Sequence, residues 1–140
     1  MTDIIVATHG GLAEGMVDAL ELIIGKQENI WFLGLRHEDS IDTFIKRVDS
    51  FAADTDHDIL FMTDLLGASP YNAAAQAIDH NRDKHVVCVS GINLSMLVEA
   101  ALKRNDMKLD ELADYLVETG KQGIAKLSLN MERGVTLWAK

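Results

Sequence analysis

The sequence predicts a doubly wound α/β domain, in which a mostly parallel sheet of strand order 2-1-3-4 carries helices on both faces. Short apolar runs rich in branched residues alternate along the chain with longer segments whose apolar residues repeat at helical spacing. This alternation is typical of a parallel sheet wrapped by helices. The 140 residues and the 48% hydrophobic composition suit a single domain, residues 1–140, with a substantial core.

Four apolar runs are predicted strands because they are short, rich in branched or aromatic residues and bounded by polar residues or glycine. Five amphipathic stretches between and after them are predicted helices, the first ended by Gly25 and the second begun by Ser40. The predicted strands are residues 3–8, 30–35, 58–63 and 85–89, and the predicted helices are residues 12–24, 40–51, 69–79, 93–104 and 109–126.

The C-terminal segment breaks the alternation. Residues 127–129 and 135–138 have strand-like composition on either side of a polar turn. After a parallel core, such a segment usually forms an edge strand, and in a homodimer it can instead cross to the sheet of the partner. We therefore predict a C-terminal edge strand, and the sequence leaves open whether it is exchanged between subunits.

The negative net charge of the chain argues against some classes of binding partner. The chain has 22 acidic and 13 basic residues and a net charge of -9. Nucleic acids and anionic lipids select basic surfaces, so we expect neither as a partner. The negative charge either attracts a basic face of a protein partner or simply keeps the domain in solution.

The sequence also predicts a cytoplasmic location. Cys88 is the only cysteine, and its place in an apolar run predicts a buried small hydrophobe that forms no disulfide within the chain. The apolar run at residues 4–7 is too short for the core of a signal peptide, and no apolar stretch reaches membrane-spanning length.

Two polar residues directly follow strands that are neighbours in the predicted order. His9 follows the first strand and Asp64 follows the third. Ligands of an open α/β sheet bind beyond the carboxyl ends of its strands, so we expect these side chains to face each other there. A carboxylate that accepts a hydrogen bond from one ring nitrogen leaves the other nitrogen free to attack an electrophile. The pair therefore predicts a nucleophilic histidine, His9, oriented by Asp64.

Two glycine-containing segments at the same edge predict an anion site. Gly10 and Gly11 precede the first long helix, and Gly67, Ala68 and Ser69 precede the third. Backbone N–H groups at helix N-termini bind anions, and we expect Ser69 as the N-cap with Pro70 at the first helical position. Neither segment contains Lys or Arg. We interpret this as suited to a carrier that must release a phosphoryl group.

Other motifs are missing or have ordinary explanations. The glycines at residues 10–15 lack dinucleotide-binding spacing, and neither a P-loop nor paired zinc-ligand spacing occurs, so we predict no cofactor and no metal. The remaining histidines are expected in solvated or structural positions: His37 in a loop at the edge of the site, His57 in a polar turn, His80 in a polar linker and His85 at the start of the fourth strand. His9 alone would also be explained by a loop position, and Asp64 alone by a structural role.

Three linked motifs resemble the enzyme IIA domains of mannose-class sugar phosphotransferase systems. They are residues 4–10 (IIVATHG, followed by AEG), residues 63–74 (TDLLGASPYNAA) and residues 90–97 (SGINLSML). The resemblance covers nearly the whole chain. It implies a homodimeric phosphotransferase in which His9 forms a phosphohistidine, Asp64 pairs with it, and Ser69 and Gly67 belong to the phosphate-contacting loop.

The resemblance also implies partners. The phosphocarrier HPr donates the phosphoryl group, a IIB component accepts it, and the membrane components IIC and IID take part indirectly. We expect the domain to act without a fused IIB, and the sequence does not name the sugar. Two alternatives stay open: a regulatory or binding module of the same fold that carries no phosphate, and a phosphocarrier subunit for a dihydroxyacetone kinase. The GASPYN segment at residues 67–72 favours sugar transport over the kinase.

Overall fold

A computed structural model describes residues 1–129 and shows an α/β sandwich of helices around one parallel sheet. Within these residues the sheet has four strands in the order β2-β1-β3-β4, which confirms the predicted strand order. In chain order the elements are β1 (Thr2–His9), α1 (Leu12–Ile24), β2 (Ile30–Leu35), α2 (Ile41–Asp54), β3 (Asp58–Thr63), α3 (Ser69–His80), β4 (Val86–Ser90), α4 (Leu94–Lys103) and α5 (Leu109–Gln122).

The two central strands are buried on both faces, which explains their unbroken apolar sequences. Alternate residues of β1 point to opposite sides of the sheet. Ile4 and Val6 pack into the core formed with α1, α4 and α5. Ile5 and Ala7 pack into the other core, formed with α2 and α3. β1 and β3 are therefore fixed from both sides, and so are the loops that follow them.

The predicted strands and helices all occur, with most ends within a few residues of the prediction. The last helix is the largest difference, because it ends at Gln122 rather than at residue 126. The Gly123 N–H donates to the Thr119 and Gly120 carbonyls and closes the final turn. His80 is the last residue of α3 and not part of a linker.

The C-terminal strand prediction is only partly covered by the described residues. Residues 127–129 form no strand, since no neighbouring strand lies beside them within residues 1–129, and their side chains are exposed. The predicted strand at residues 135–138 lies outside the described range. Within residues 1–129 no helix is long and apolar enough to cross a membrane.

Cys88 lies on the edge strand β4 and is only partly buried, in contact with the core on the α2 and α3 side. Burial raises the pKa of its thiol to about 11, although a contact with the Thr63 hydroxyl acts in the opposite direction. The thiol is therefore neutral at physiological pH, as the predicted structural role requires.

A buried arginine fixes the lower edge of the sheet, opposite the carboxyl ends of the strands. Arg104, which follows α4, is 5% exposed. Its guanidinium donates hydrogen bonds of 3.2 Å to the Thr2 carbonyl, 3.0 Å to the Asn29 carbonyl and 2.6 Å to the Glu28 carbonyl. One side chain thus ties the end of α4 to the start of β1 and to the loop before β2.

We expect Arg104→Met to lower the free energy of unfolding by about 2–4 kcal/mol, because three carbonyls lose a charged donor in a site closed to water. Urea denaturation followed by circular dichroism measures the change. Arg82→Met is the matched control, since Arg82 pairs with Asp79 on the open surface of the protein. An equal effect of the two substitutions would contradict the structural role given to Arg104.

Candidate functional site

The site lies where β1 and β3 end, at the point where the strand order reverses. β1 pairs in parallel with β2 on one side and with β3 on the other. Ala7 is opposite Thr63 in the β1–β3 register, so His9 and Asp64 leave the sheet at the same edge. A crevice at this position of an α/β sheet is the usual ligand site of the fold.

His9 and Asp64 form the predicted pair. The His9 Nδ1 atom lies 2.8 Å from the Asp64 Oδ2 atom, and the His9 backbone N–H donates to the same oxygen at 3.0 Å. The Leu65 N–H donates to the other carboxylate oxygen at 3.0 Å. The carboxylate is therefore held by three contacts, and Nε2 is the ring nitrogen that Asp64 leaves free. The histidine side chain is 45% exposed and the aspartate side chain 11%.

The Asp64 carboxylate stays ionised because of these contacts. Partial burial opposes ionisation, but it is outweighed by hydrogen bonds from the His9 amide and ring and, when the ring is protonated, by its positive charge, so the pKa of Asp64 is lowered. An ionised carboxylate only accepts hydrogen bonds, so the His9 Nδ1 must be the donor. The unprotonated nitrogen of the neutral ring is then Nε2.

The N-terminus of α1 reaches the site directly after His9. Gly10 has a φ of 56°, a left-handed conformation that turns the chain sharply between strand and helix. The buried Thr8 hydroxyl accepts from the Ala13 N–H at 2.8 Å and so caps the first turn from within the sheet. Gly11 is the N-cap of α1 and Leu12 is its first residue, and the N–H groups of both have no acceptor within the helix.

The Gly10 amide differs from the sequence prediction. Its N–H donates to the Leu35 carbonyl at 2.8 Å, which extends the β1–β2 ladder by one bond. An amide already paired in this way is not free to bind an anion, so Gly10 shapes the turn instead. The neighbouring Gly11 keeps its place in the predicted anion site.

The loop after Asp64 brings the N-terminus of α3 to the same edge. Gly67 has a φ of 78°, and its carbonyl accepts from the Asn72 side chain at 3.2 Å. The Ala68 N–H donates to the Leu65 carbonyl at 3.3 Å within this turn, which leaves it less available to a ligand than predicted. Ala68 itself is extended, a conformation that accommodates its methyl group without strain.

Ser69 is not the N-cap that the sequence suggested. Ala68 occupies that position, Ser69 is the first helical residue and Pro70 the second. The turn at Gly67 starts the helix one residue earlier, and no side-chain hydrogen bond caps it. The Ser69 hydroxyl is consequently not used for capping, and its N–H has no acceptor within the helix.

Arg36 is the residue that sequence reasoning missed. It follows β2, far from both glycine segments in the sequence, yet its guanidinium lies beside Gly11. A Cβ added at Gly11 would be 3.3 Å from one of its terminal nitrogens, and Arg36 also pairs with Glu14 at 3.4 Å. The two glycine segments contain no Lys or Arg, as stated above, but a cation from the end of β2 lies beside one of them. The available signal was the predicted strand order, which places the end of β2 beside the end of β1.

Three other histidines also pair with aspartates, and only one pair matches the His9–Asp64 contact. His57 Nδ1 lies 2.8 Å from the Oδ1 of buried Asp3, whose other oxygen accepts from the Thr55 hydroxyl at 2.6 Å. His80 pairs with Asp49 at 3.1 Å and His85 with Asp110 at 3.2 Å, on exposed surfaces. His37 lies in an exposed loop, as expected.

The His57–Asp3 pair lies at the opposite edge of the sheet, beside the end of a helix rather than the beginning of one. It is close to the C-terminal end of α2 and shares a cavity of about 450 Å³ with Asp54 and Asp56. Helix C-termini present carbonyl oxygens, whereas N-termini present N–H groups. The two pairs thus have the same local geometry but opposite surroundings, and only His9 lies between helix N-termini.

Comparison with known proteins identifies the family. Residues 3–117 match the profile of the family EIIA-man, described as "PTS system fructose IIA component". The chain belongs to this family. The resemblance drawn from the three motifs is thereby confirmed. Membership of the PTS enzyme IIA family agrees with a phosphocarrier role in sugar transport.

Individual relatives of this IIA domain agree with the assignment. The mannose-specific EIIAB component of Escherichia coli K12 is 34% identical over 127 residues, which are 89% of this chain and 39% of that protein. The chain thus spans well under half of that relative's length. The fructose-specific EIIA component of Bacillus subtilis is 26% identical over 135 residues, 95% of this chain and 91% of its own.

A solved structure supports the fold of the IIA domain. The phosphotransferase system component EIIA from Streptococcus agalactiae superposes with a TM-score of 0.85 at 33% identity, over 90% of this chain and 97% of that one. The four-stranded parallel sheet and its helices are therefore the architecture of known IIA proteins.

The Asp64 contacts predict a specific acid dependence. The pKa of Asp64 in the folded protein lies below its ordinary value of about 3.9. The ionised carboxylate therefore stabilises the fold fully at pH values above the ordinary pKa. This stabilisation is lost as the pH falls through the pKa of the folded protein. We expect the wild-type protein to exceed Asp64→Asn in stability at pH 5 and above, with a difference that shrinks toward pH 2. Urea denaturation of the two proteins at several pH values in this range measures the difference in free energy of unfolding. A difference that stays constant with pH would contradict the prediction.

Proposed function

We propose that His9 is the phosphoryl acceptor of a phosphocarrier, that phosphorylated HPr is the donor and that a IIB component is the next acceptor. The observation that carries the proposal is the 2.8 Å contact between His9 Nδ1 and Asp64, at the edge of the sheet where α1 and α3 begin. In the neutral form of the ring, this contact fixes the tautomer in which Nε2 is unprotonated and directed away from Asp64. The family supports a role in a sugar phosphotransferase system.

The transfer step uses the two ring nitrogens for different purposes. The lone pair of His9 Nε2 attacks the phosphorus of the donor phosphohistidine, a new N–P bond forms, and the old N–P bond breaks with its electron pair returning to the donor ring. The proton on His9 Nδ1 stays in its hydrogen bond with Asp64. Positive charge develops on the His9 ring as the bond forms, and the carboxylate at 2.8 Å stabilises it.

The transferred group meets N–H donors at two helix N-termini. The amides of Gly11 and Leu12 on one side, and those of Gly67 and Ser69 with the Ser69 hydroxyl on the other, are the donors that we assign to it. Their dipoles favour an anion at this edge of the sheet. A set of neutral donors in a half-exposed site holds a phosphoryl group without trapping it, and transfer to a IIB component requires that release.

The setting of the reaction follows from the family. We propose that the domain acts in the cytoplasm and couples indirectly to the membrane components IIC and IID. We further propose that the domain forms a homodimer. Within residues 1–129, Ile124, Leu127 and Leu129 are strongly exposed near the end of the described chain, and burial in such an assembly would remove them from water.

Phosphorylation tests the proposal directly. We expect incubation with enzyme I, HPr and phosphoenolpyruvate to add one acid-labile, base-stable phosphoryl group, measured by intact mass spectrometry. His9→Ala should abolish the gain. His57→Ala is the matched control and should keep it, because that histidine has the same aspartate contact but lies at the other edge of the sheet. Labelling of His9→Ala, or none of the wild type beside a competent IIA control, would refute the proposal.

The pairing acid has its own test. We expect Asp64→Ala to slow phosphoryl transfer from phosphorylated HPr by about two to four orders of magnitude, because the ring loses its fixed tautomer and the charge that stabilises it. Rapid-quench measurement of the transfer rate gives the effect. The matched control is Asp3→Asn, which removes the charge from the other pair, and transfer by Asp64→Ala at the wild-type rate would show that the carboxylate has no such role.

A further inference from the structure

His9 lies between two residues of opposite charge that belong to the neighbouring strands. Asp64 follows β3 on one side of β1, and Arg36 follows β2 on the other. The register pairs His9 with Leu35, and the Gly10 N–H donates to the Leu35 carbonyl at 2.8 Å. Arg36 is thus one residue beyond the strand partner of His9, at the same edge of the sheet.

Two glycines give the Arg36 guanidinium its place beside the site. A Cβ at Gly34 would lie 3.3 Å from the Arg36 Nε and only 2.2 Å from the Gly10 carbonyl oxygen, and a Cβ at Gly11 would lie 3.3 Å from a terminal nitrogen of Arg36. Because both positions lack a side chain, the guanidinium can rest against the first residues of α1. These residues carry the N–H groups that we assign to the phosphoryl group.

The present partner of Arg36 holds it weakly. Glu14 accepts a hydrogen bond from one terminal nitrogen of Arg36 at 3.4 Å. The Arg36 side chain is 42% exposed and the Glu14 side chain 60%. Exposed ion pairs of this kind contribute about 0–1 kcal/mol. A phosphoryl group presents three charged oxygens, and a guanidinium binds such a group through two parallel hydrogen bonds. A phosphoryl group on His9 would therefore compete effectively with the Glu14 carboxylate for the Arg36 guanidinium.

We propose that Arg36 binds the phosphoryl group on His9, and that Glu14 holds the guanidinium beside the site when His9 is unphosphorylated. This inference rests on the proposed function. It assigns Arg36 a task beyond that of the neutral amides: it stabilises the phosphorylated form relative to the free form. Arg36 and Glu14 together then set the equilibrium of phosphoryl transfer to this domain. Arg36 favours the form phosphorylated on His9, and Glu14 opposes it by competing for the guanidinium.

The equilibrium between phosphorylated HPr and this domain is the measurement. Purified phosphorylated HPr is mixed with each variant, and intact mass spectrometry gives the phosphorylated fractions at equilibrium. We expect Arg36→Gln to lower the equilibrium constant for loading about tenfold, and Arg36→Lys to lower it less, because lysine keeps the charge without the two-bond geometry. Glu14→Gln should raise the constant by about twofold, since Arg36 is then released from its competitor.

Two further readouts separate phosphoryl binding from a structural role. The ³¹P resonance of phosphorylated His9 should shift in Arg36→Gln, and the loading constant of the wild type should fall with added salt more steeply than that of Arg36→Gln. Thermal unfolding of the unphosphorylated variants shows whether the fold is intact. A shifted equilibrium with an unchanged ³¹P resonance would assign Arg36 to structure alone and overturn the inference.

The failure of this inference is distinct from the failure of the proposed function. If Arg36→Gln is phosphorylated on His9 with the wild-type constant and the wild-type resonance, Arg36 has no part in binding and His9 remains the acceptor. If wild-type His9 takes no phosphoryl group, the proposed function itself fails.

Discussion

The parallel pairing of β1 with β3 is the constraint on which the site depends. Each strand is buried on both faces, so a shift of register by one residue would move every core side chain to the wrong side of the sheet. The register therefore fixes where each strand ends, and it places His9 opposite the loop that begins with Asp64. The 2.8 Å contact between them is a consequence of core packing far from the reacting atoms.

Position within the fold, rather than the histidine–aspartate contact itself, distinguishes His9. His57 and Asp3 reproduce the contact with the same 2.8 Å distance at the opposite edge of the same sheet. That pair lies near the end of α2, in a cavity also lined by Asp54 and Asp56, whereas α1 and α3 begin beside His9. The two edges of the sheet differ in polarity because each helix that connects two strands (α1, α2 and α3) runs against the direction of the strands.

The site combines an anion, a cation and neutral amides that follow three neighbouring strands. Asp64 fixes the ring and remains ionised because His9 donates two hydrogen bonds to it. Neutral amides come from the helices that follow β1 and β3, and one cation, Arg36, comes from the end of β2. A carrier must neither repel the phosphoryl group nor retain it. In the proposed carrier, the exposed Arg36 that pairs with Glu14 would add one cation to the neutral donors without forming an ion pair closed to solvent.

The sequence by itself determined the α/β class, the strand order, the pairing of His9 with Asp64 and the family, because these follow from local hydrophobic pattern and from short motifs at strand ends. Only the tertiary structure decided which amides are free and which charges are near. The Gly10 amide is used by β2, Ala68 replaces Ser69 as the N-cap, and Arg36 arrives from another strand. Each depends on a contact or a backbone angle that the surrounding packing sets, and no pattern within one segment of sequence encodes it.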